Sequence, residues 1–413
     1  MMAESEVLSM ERPYPNITVT PKGERALRGG HPWVFDAEVT DVTGAPVSGG
    51  VVDVYTQKGR WLGAGFYNSN SKIRVRVFSR NANDRFDESF WRRALRYAVD
   101  YRRAVLSDED FRCCRLIFGE ADRFPGLTVD RFENVLVTET LSLGMERVKG
   151  LLFPALVDIL REGGAEITAV YERNESPLRA KEGMESGKGF FSGGGDGHVE
   201  ICENGIFYDV DYINGQKTGI FLDQKFNRRA IRQIARGRTV LDCFTHTGAF
   251  GLNAAAGGAK RVTSVDVSAD ALAQAKRNAA RNGLTGRIEY VCADVFDLLT
   301  DLSAKGGKSD YDFIILDPPA FTKSGATVKN AFRGYKEINL KAMKLLPRGG
   351  YLATCSCSHF MTDELFREML RQAAADAAVE LRQIEARRQG PDHPILWNVP
   401  ETEYLKFYIF QVV

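Results

Sequence analysis

The chain has 413 residues, 44% of them hydrophobic and 26% charged, with a formal net charge of +1. Its length favours two or three domains over one core. The composition excludes wholesale disorder, and near-neutrality neither demands nor forbids a nucleic-acid partner. No apolar run approaches the roughly 20 residues of a membrane span. Residues 1–15, polar and acidic, read as a flexible terminus and not as a secretory signal. Seven cysteines without framework or zinc spacing fit free thiols in a reducing cytoplasm, and no metal is expected.

Short apolar runs broken by Gly and Pro predict strands at Ile17–Val19, Val51–Tyr55, Trp61–Tyr67 and Ile73–Phe78. They form a small β domain over 16–84. Phe86 to Leu106 has helical spacing, with Phe90, Trp91, Ala94, Leu95, Ala98 and Val99 on one stripe and arginines opposite. Strands follow at Leu116–Ile117, Leu127–Asp130 and Val135–Thr138, then a helix over Val148–Leu160 and a strand at Thr168–Tyr171. Gly183 to Gly197 is glycine-rich and reads as a loop or linker. This stretch, 85–205, makes a central α+β domain.

From 206 to 413 strands and helices alternate, as in a parallel sheet. Strands fit Thr239–Asp242, Val262–Asp266, Ile288–Val291, Phe313–Leu316 and Tyr351–Thr354, and Ser268 caps the helix that Gly283 stops. The turn after the first strand, Asp242 to Phe250, opens a helix where an open α/β sheet holds a nucleotide. Asp242, Phe244, Thr247 and Gly248 are its cofactor candidates. Asp266 and Asp294 end the next two strands, with Asp266 placed for ribose hydroxyls. Neither G-x-G-x-x-G nor a Walker motif is present, which suits S-adenosylmethionine, a cofactor without pyrophosphate. The plainer reading is that these acids only cap strand ends.

Two segments carry the chemistry. Asp317-Pro318-Pro319-Ala320-Phe321 puts a carboxylate, held by prolines, where an apolar strand ends. Thr354-Cys355-Ser356-Cys357-Ser358 puts two thiols at the end of the next. A thiolate added to carbon 6 of a cytosine makes carbon 5 nucleophilic enough to take a methyl group. Cys357, past the strand, is the more exposed candidate nucleophile; Asp317 would grip the base, and Asp317 and Pro318 also count among the cofactor residues. Two buried small cysteines in a core strand are the alternative. A rival use of D-P-P-A, orienting an exocyclic nitrogen for amino methylation, needs no cysteine.

Asp242-Cys243-Phe244-Thr245-His246-Thr247-Gly248, Asp317-Pro318-Pro319-Ala320-Phe321 and Ser356-Cys357-Ser358 resemble the bacterial ribosomal RNA cytosine-C5 methyltransferase family that carries an N-terminal PUA domain. So do Asn214 to Lys225, Asp392-His393-Pro394 with Pro400 to Lys406, and Gly29 to Phe35, so the resemblance spans nearly the whole chain. It implies an α/β fold: a PUA β-barrel, a central α+β domain and a C-terminal Rossmann-like class I methyltransferase sheet. It implies S-adenosylmethionine as cofactor, Cys357 as nucleophile, Asp317 as the base-orienting acid, and Phe221, Asp223 and Gln224 closing over the methionine end. The partner implied is RNA of the large ribosomal subunit, with a homodimer left open and no membrane. Cys355 departs from the family, and Lys225 stands where Arg is frequent. Tyr404 and Lys406 read as structural.

Arg74 and Arg76 on the β domain, with Arg92 and Arg93 on the next helix, are the candidate RNA ligands, in a run that continues to Arg102 and Arg103. A solvated helix face is the alternative. Three functions compete: an RNA cytosine-C5 methyltransferase, a nucleobase amino methyltransferase, and a non-catalytic RNA-binding assembly factor.

Overall fold

The computed structural model describes residues 12–304, 309–322 and 324–413. The expected flexible terminus lies, up to residue 11, outside them. The chain divides into two compact units: Met1–Asp100 with Ile117–Val129 and Thr138–Gly193, and Tyr101–Leu116 with Asp130–Val137 and Gly194–Val413.

In the first unit β1 (Asn16–Val19), α1 (Pro21–Arg28), β2 (Trp33–Phe35), β3 (Val39–Thr43), β4 (Val51–Thr56), β5 (Trp61–Tyr67) and β6 (Ile73–Ser79) come in sequence, and the strands lie in the order β2-β6-β5-β4-β1-β3. Alternation turns Val75 and Val77 inward, onto a core of Ile17, Val19, Val34, Val52 and Val54. Helix α2 (Glu88–Val105) follows, and its predicted stripe buries Phe90, Trp91, Leu95, Ala98 and Val99. Trp91 stacks on Phe66, with centroids 5.9 Å apart. Phe78 is buried too, whereas Tyr97 stays 67% exposed.

Next come α3 (Asp108–Arg112), β7 (Cys113–Phe118), β8 (Leu127–Phe132), β9 (Val135–Thr140), α4 (Leu143–Glu162), β10 (Ala169–Asn174), α5 (Leu178–Lys181) and β11 (Gly187–Ser192). The strands form a sheet of order β11-β10-β9-β8-β7. Helix α4 starts earlier than its apolar spacing suggests because the Ser142 side chain caps the Met145 N–H. The glycine-rich stretch read as a loop contains β11. It is an edge strand, paired antiparallel with β10 and anchored by Phe190 on Tyr171 and Phe191 on Phe153.

The second unit adds a hairpin, β12 (His198–Glu203) and β13 (Ile206–Asp211), whose turn places Asn204 and Gly205 at positive φ. Then follow α6 (Lys225–Ile234), β14 (Thr239–Cys243), α7 (Ala249–Ala256), β15 (Arg261–Asp266), α8 (Ala269–Arg281), β16 (Ile288–Cys292), α9 (Val295–Ala304), β17 (Phe313–Leu316), α10 (Val328–Leu345), β18 (Tyr351–Ser356), α11 (Asp363–Ala377), β19 (Leu381–Arg387) and β20 (Lys406–Val412). Their sheet has the order β16-β15-β14-β17-β18-β20-β19. The five predicted strands are parallel, and β20 runs antiparallel to β18 and to β19. Strand order reverses between β14 and β17, so their carboxyl ends open a crevice there. Ser268 caps α8, as its sequence predicts. Among the described residues no helix is long and apolar enough to cross a membrane.

Candidate active site

The crevice is built from strand ends. Asp242 is the penultimate residue of β14, Asp266 ends β15, Asp317 follows β17 and Cys357 follows β18. The turn after β14 is tightly wound, with Phe244, His246 and Gly248 all at positive φ. Such conformations cost a non-glycine residue about 1 kcal/mol or more and persist only where surroundings enforce them. Asp242 supplies the enforcement. It is fully buried, and its Oδ2 accepts hydrogen bonds from the Thr245 and Ser264 hydroxyls. Burial pushes its carboxyl up to about 7.

Asp266 accepts the His246 N–H at 2.9 Å and the Ser268 N–H at 3.0 Å, which joins the turn to the start of α8. Asp294 differs from expectation: it lies two residues beyond β16, exposed, and accepts the Phe296 N–H at 2.7 Å as a cap for α9. Phe244 and Thr247 are half-buried along the turn and Pro318 is buried beside Asp317. Phe221 meets the His246 ring edge-on at 5.6 Å, so His246 packs, and burial holds its pKa low.

Glycine is required twice. Gly248 opens α7 at φ +86°, and a Cβ there would sit 2.9 Å from Ala275 Cβ. A Cβ on Gly251 would come within 2.8 Å of Asp242 Oδ2 and closer to Ser264 Oγ. Gly251→Ala is therefore expected to cost about 1–3 kcal/mol of stability and to weaken cofactor binding, read by thermal melts with and without S-adenosylhomocysteine.

The two thiols are unlike. Cys355 is fully buried, and its Sγ donates to Asp317 Oδ1 at 2.8 Å. Cys357 is half-buried. Gln224, expected among the cofactor residues, donates from its Nε2 to Asp317 Oδ1 at 3.1 Å and accepts at its Oε1 from Asn227 at 2.6 Å. The amide is thus committed to the tip of β17. Burial, and behind it the Asp223 charge, push Asp317 up to about 6 against the pull of the Cys355 and Gln224 donors. Burial raises Cys357 to about 12, with Asp317 and Asp223 adding to it and Lys406 opposing.

Sequence reasoning missed the part played by Lys406. It is buried, yet its Nζ donates to Ser358 O at 2.6 Å and Tyr404 O at 2.8 Å. A lysine opening the apolar run Phe407-Tyr408-Ile409-Phe410 was the available signal. Tyr404 donates to Asp223 Oδ2 at 2.7 Å. Lys225 is buried, with its ammonium on the carbonyls of Asp110 and Cys113.

The arginines are less available than their spacing suggests. Arg76 lies between Glu120 at 3.1 Å and Glu182 at 3.0 Å with its side chain 13% exposed, so its charge is already answered inside the fold. Arg74 donates to the carbonyls of Asn68 and Ser69. Arg92 pairs with Glu162 and Arg93 with Asp84, both at the surface. Arg102, placed in the same run, is fully buried and bonds Arg115 O and Asp392 O.

Two buried carboxylate oxygens at the crevice, Asp223 Oδ1 and Asp242 Oδ1, have no partner among the described residues. Unanswered acceptors beside a third carboxylate, Asp317, call for a ligand that brings donors and positive charge. S-adenosylmethionine, with an ammonium, a sulfonium and ribose hydroxyls, fits that need.

A parallel sheet with a reversed strand beside its last parallel one, and acids at its strand ends, defines a class I S-adenosylmethionine-dependent methyltransferase. A family model for such methyltransferases matches residues 167–407, and one for a PUA-like domain matches 17–80. Proteins named ribosomal RNA large subunit methyltransferase I are similar throughout. The one from Pseudoalteromonas translucida is 40% identical over 94% of this chain and 97% of its own. The one from Klebsiella pneumoniae is 37% identical over 97% and 99%. This chain belongs to their family of S-adenosylmethionine-dependent methyltransferases with an N-terminal PUA-like domain. A methyltransferase structure from Streptococcus mutans shares the fold at 22% identity, with a TM-score of 0.80 over 96% of this chain and 100% of that one. A methyltransferase complexed with SAH does so at 21% and 0.81, with the same coverage.

Proposed function

We propose that this protein methylates carbon 5 of a cytosine in RNA of the large ribosomal subunit, 23S in bacteria, through a covalent adduct with Cys357. The names of the relatives support the RNA. The observation that carries the chemistry is the pairing at adjacent strand ends of a half-buried thiol, Cys357, with a carboxylate whose Oδ2 has no partner among the described residues.

When bound, S-adenosylmethionine supplies an electrophilic methyl group and a positive charge. Asp223, Asp266 and the turn from Asp242 to Gly248 are the groups to hold it. Asp317 Oδ2 takes the Watson–Crick edge of the flipped cytosine. A carboxyl near 6 is poised to share a proton with ring N3 as carbon 6 is attacked. Cys357 gives up its proton to solvent and its sulfur bonds to carbon 6, which moves electron density to carbon 5. Carbon 5 takes the methyl group, with the thioether S-adenosylhomocysteine as leaving group. A base then removes the carbon-5 proton, and the carbon–sulfur bond breaks as the double bond between carbons 5 and 6 re-forms, which releases the thiolate.

Of the expected RNA ligands, Arg92, half-buried, and Arg93, exposed, both at the surface of α2, remain the better placed for phosphates; Arg74 and Arg76 would first have to leave internal partners. The test is 5-fluorocytidine-substituted ribosomal RNA, in which fluorine blocks the last proton loss. A covalent protein–RNA band that maps to Cys357 is expected. A methylated exocyclic amine with no band favours the amino reading, and no turnover on any RNA favours the assembly factor.

A further inference from the structure

Neither the proposed chemistry nor the family pattern uses Cys355, although it lies two residues from the nucleophile. It cannot attack a base where it stands. It is fully buried in β18, between parallel β17 and antiparallel β20, opposite Phe407. Its hydrogen-bonding capacity is also spent. The thiol donates to Asp317 Oδ1 at 2.8 Å, and its sulfur lies 3.4 Å from Gln224 Nε2.

The same Gln224 nitrogen reaches Asp317 Oδ1 at 3.1 Å, so two donors converge on one carboxylate oxygen. Gln224 is itself fixed. Its Oε1 accepts from Asn227 Nδ2 at 2.6 Å, and that nitrogen also meets Arg388 O at 3.3 Å. Gln224, Asn227 and Cys355 are all buried. Asp317 N donates to Cys243 O, which ties the carboxylate's own backbone to β14. Oδ1 is therefore clamped, and Oδ2 is the oxygen left for a ligand.

We propose that Cys355 is a positioning residue: with Gln224 it clamps Oδ1 of Asp317, so that Oδ2 meets the substrate base in one orientation and in a set protonation state. This deepens the proposed function and rests on it for the identity of the base. A side chain that rotates about its terminal torsion gains direction when one oxygen is held. A donor to the charged form also favours ionisation. The other charges that act on Asp317 are Asp223, Asp242, Cys357 and, with opposite sign, Arg228.

Three forms of the full chain test this: wild type, Cys355→Ala and Cys355→Ser, each checked by thermal melt. Serine keeps a donor and alanine does not. The Asp317 carboxyl is followed by ¹³C NMR of aspartate-labelled protein, with Asp317→Asn assigning its signal. In Cys355→Ala the titration midpoint is expected to rise by about one pH unit, and single-turnover methyl transfer to fall about tenfold with RNA affinity unchanged. Cys355→Ser is expected to recover most of both. A midpoint that alanine leaves unmoved, or a serine variant that behaves like alanine, overturns the proposal.

A measurement on wild type stands apart from the variants' folding. In native protein iodoacetamide should modify Cys357 and spare Cys355, as read from fragment ions; equal rates at the two thiols overturn the clamp. Trapping by 5-fluorocytidine RNA separates the two levels of the argument. No adduct at Cys357 sinks the nucleophile assignment while the Asp317 titration still judges Cys355. An adduct at Cys355 sinks both.

Discussion

Cys357→Ala is expected to lower methyl transfer to ribosomal RNA by about 10⁴-fold or more while leaving S-adenosylhomocysteine affinity within about twofold. Carbon 5 of a cytosine is a poor nucleophile until sulfur has added at carbon 6, and no second thiol can replace Cys357. Cys355, two residues away, is fully buried and bonded to Asp317. The cofactor candidates, Asp223, Asp266 and the turn from Asp242, lie on other elements, so binding and chemistry should separate cleanly in this variant. Equilibrium dialysis reads the first and tritium transfer the second. Amino methylation needs no thiol at this point, so a variant that keeps more than about a tenth of wild-type turnover would decide for that chemistry.

The sheet that carries the site was legible because its strands are short apolar runs ended by chemically distinctive residues. The five parallel strands fall where the sequence places them, to within two residues at each end. Asp317 and Cys357 stand out for the same reason. What stayed hidden depends on contacts distant in sequence. β11 looks like a linker because its glycines mask two phenylalanines that find Tyr171 and Phe153 only when β10 lies alongside. Arg102 follows the helical pattern of a surface arginine and is nonetheless buried against the Asp392 carbonyl, 290 positions away. Gln224 reaches across 93 positions to Asp317. Local spacing tells which face a residue is on, and a partner that folds over that face is outside its reach.

Lys406 is the sharpest case of such a hidden partner and leads to the second large effect. Lys406→Gln is expected to slow alkylation of Cys357 by about tenfold below pH 8 without unfolding the protein. Lys406 is 3% exposed, and the acceptors of its ammonium are the neutral carbonyls of Ser358 and Tyr404; among the described residues no carboxylate lies within ion-pair distance. An effective penalty of several kcal/mol attends a buried cation without a counter-ion, so a side chain kept for stability alone would be better uncharged. Glutamine retains a donor for the carbonyls and removes the charge.

The charge matters to Cys357, which sits between Ser356, the cross-strand partner of Lys406, and Ser358, whose carbonyl the ammonium holds. Burial, Asp317 and Asp223 all oppose a thiolate there, and Lys406 is the cation that favours one. The sign of the pH dependence follows. Burial lowers Lys406 to about 8, with Cys357, Asp363, Cys355 and Glu403 acting the other way. Above that pH the lysine of the wild type is itself neutral, so the alkylation profiles of wild type and Lys406→Gln should converge. Profiles that stay parallel through pH 9 would mean that the lysine acts on the fold around Cys357 and not on its charge.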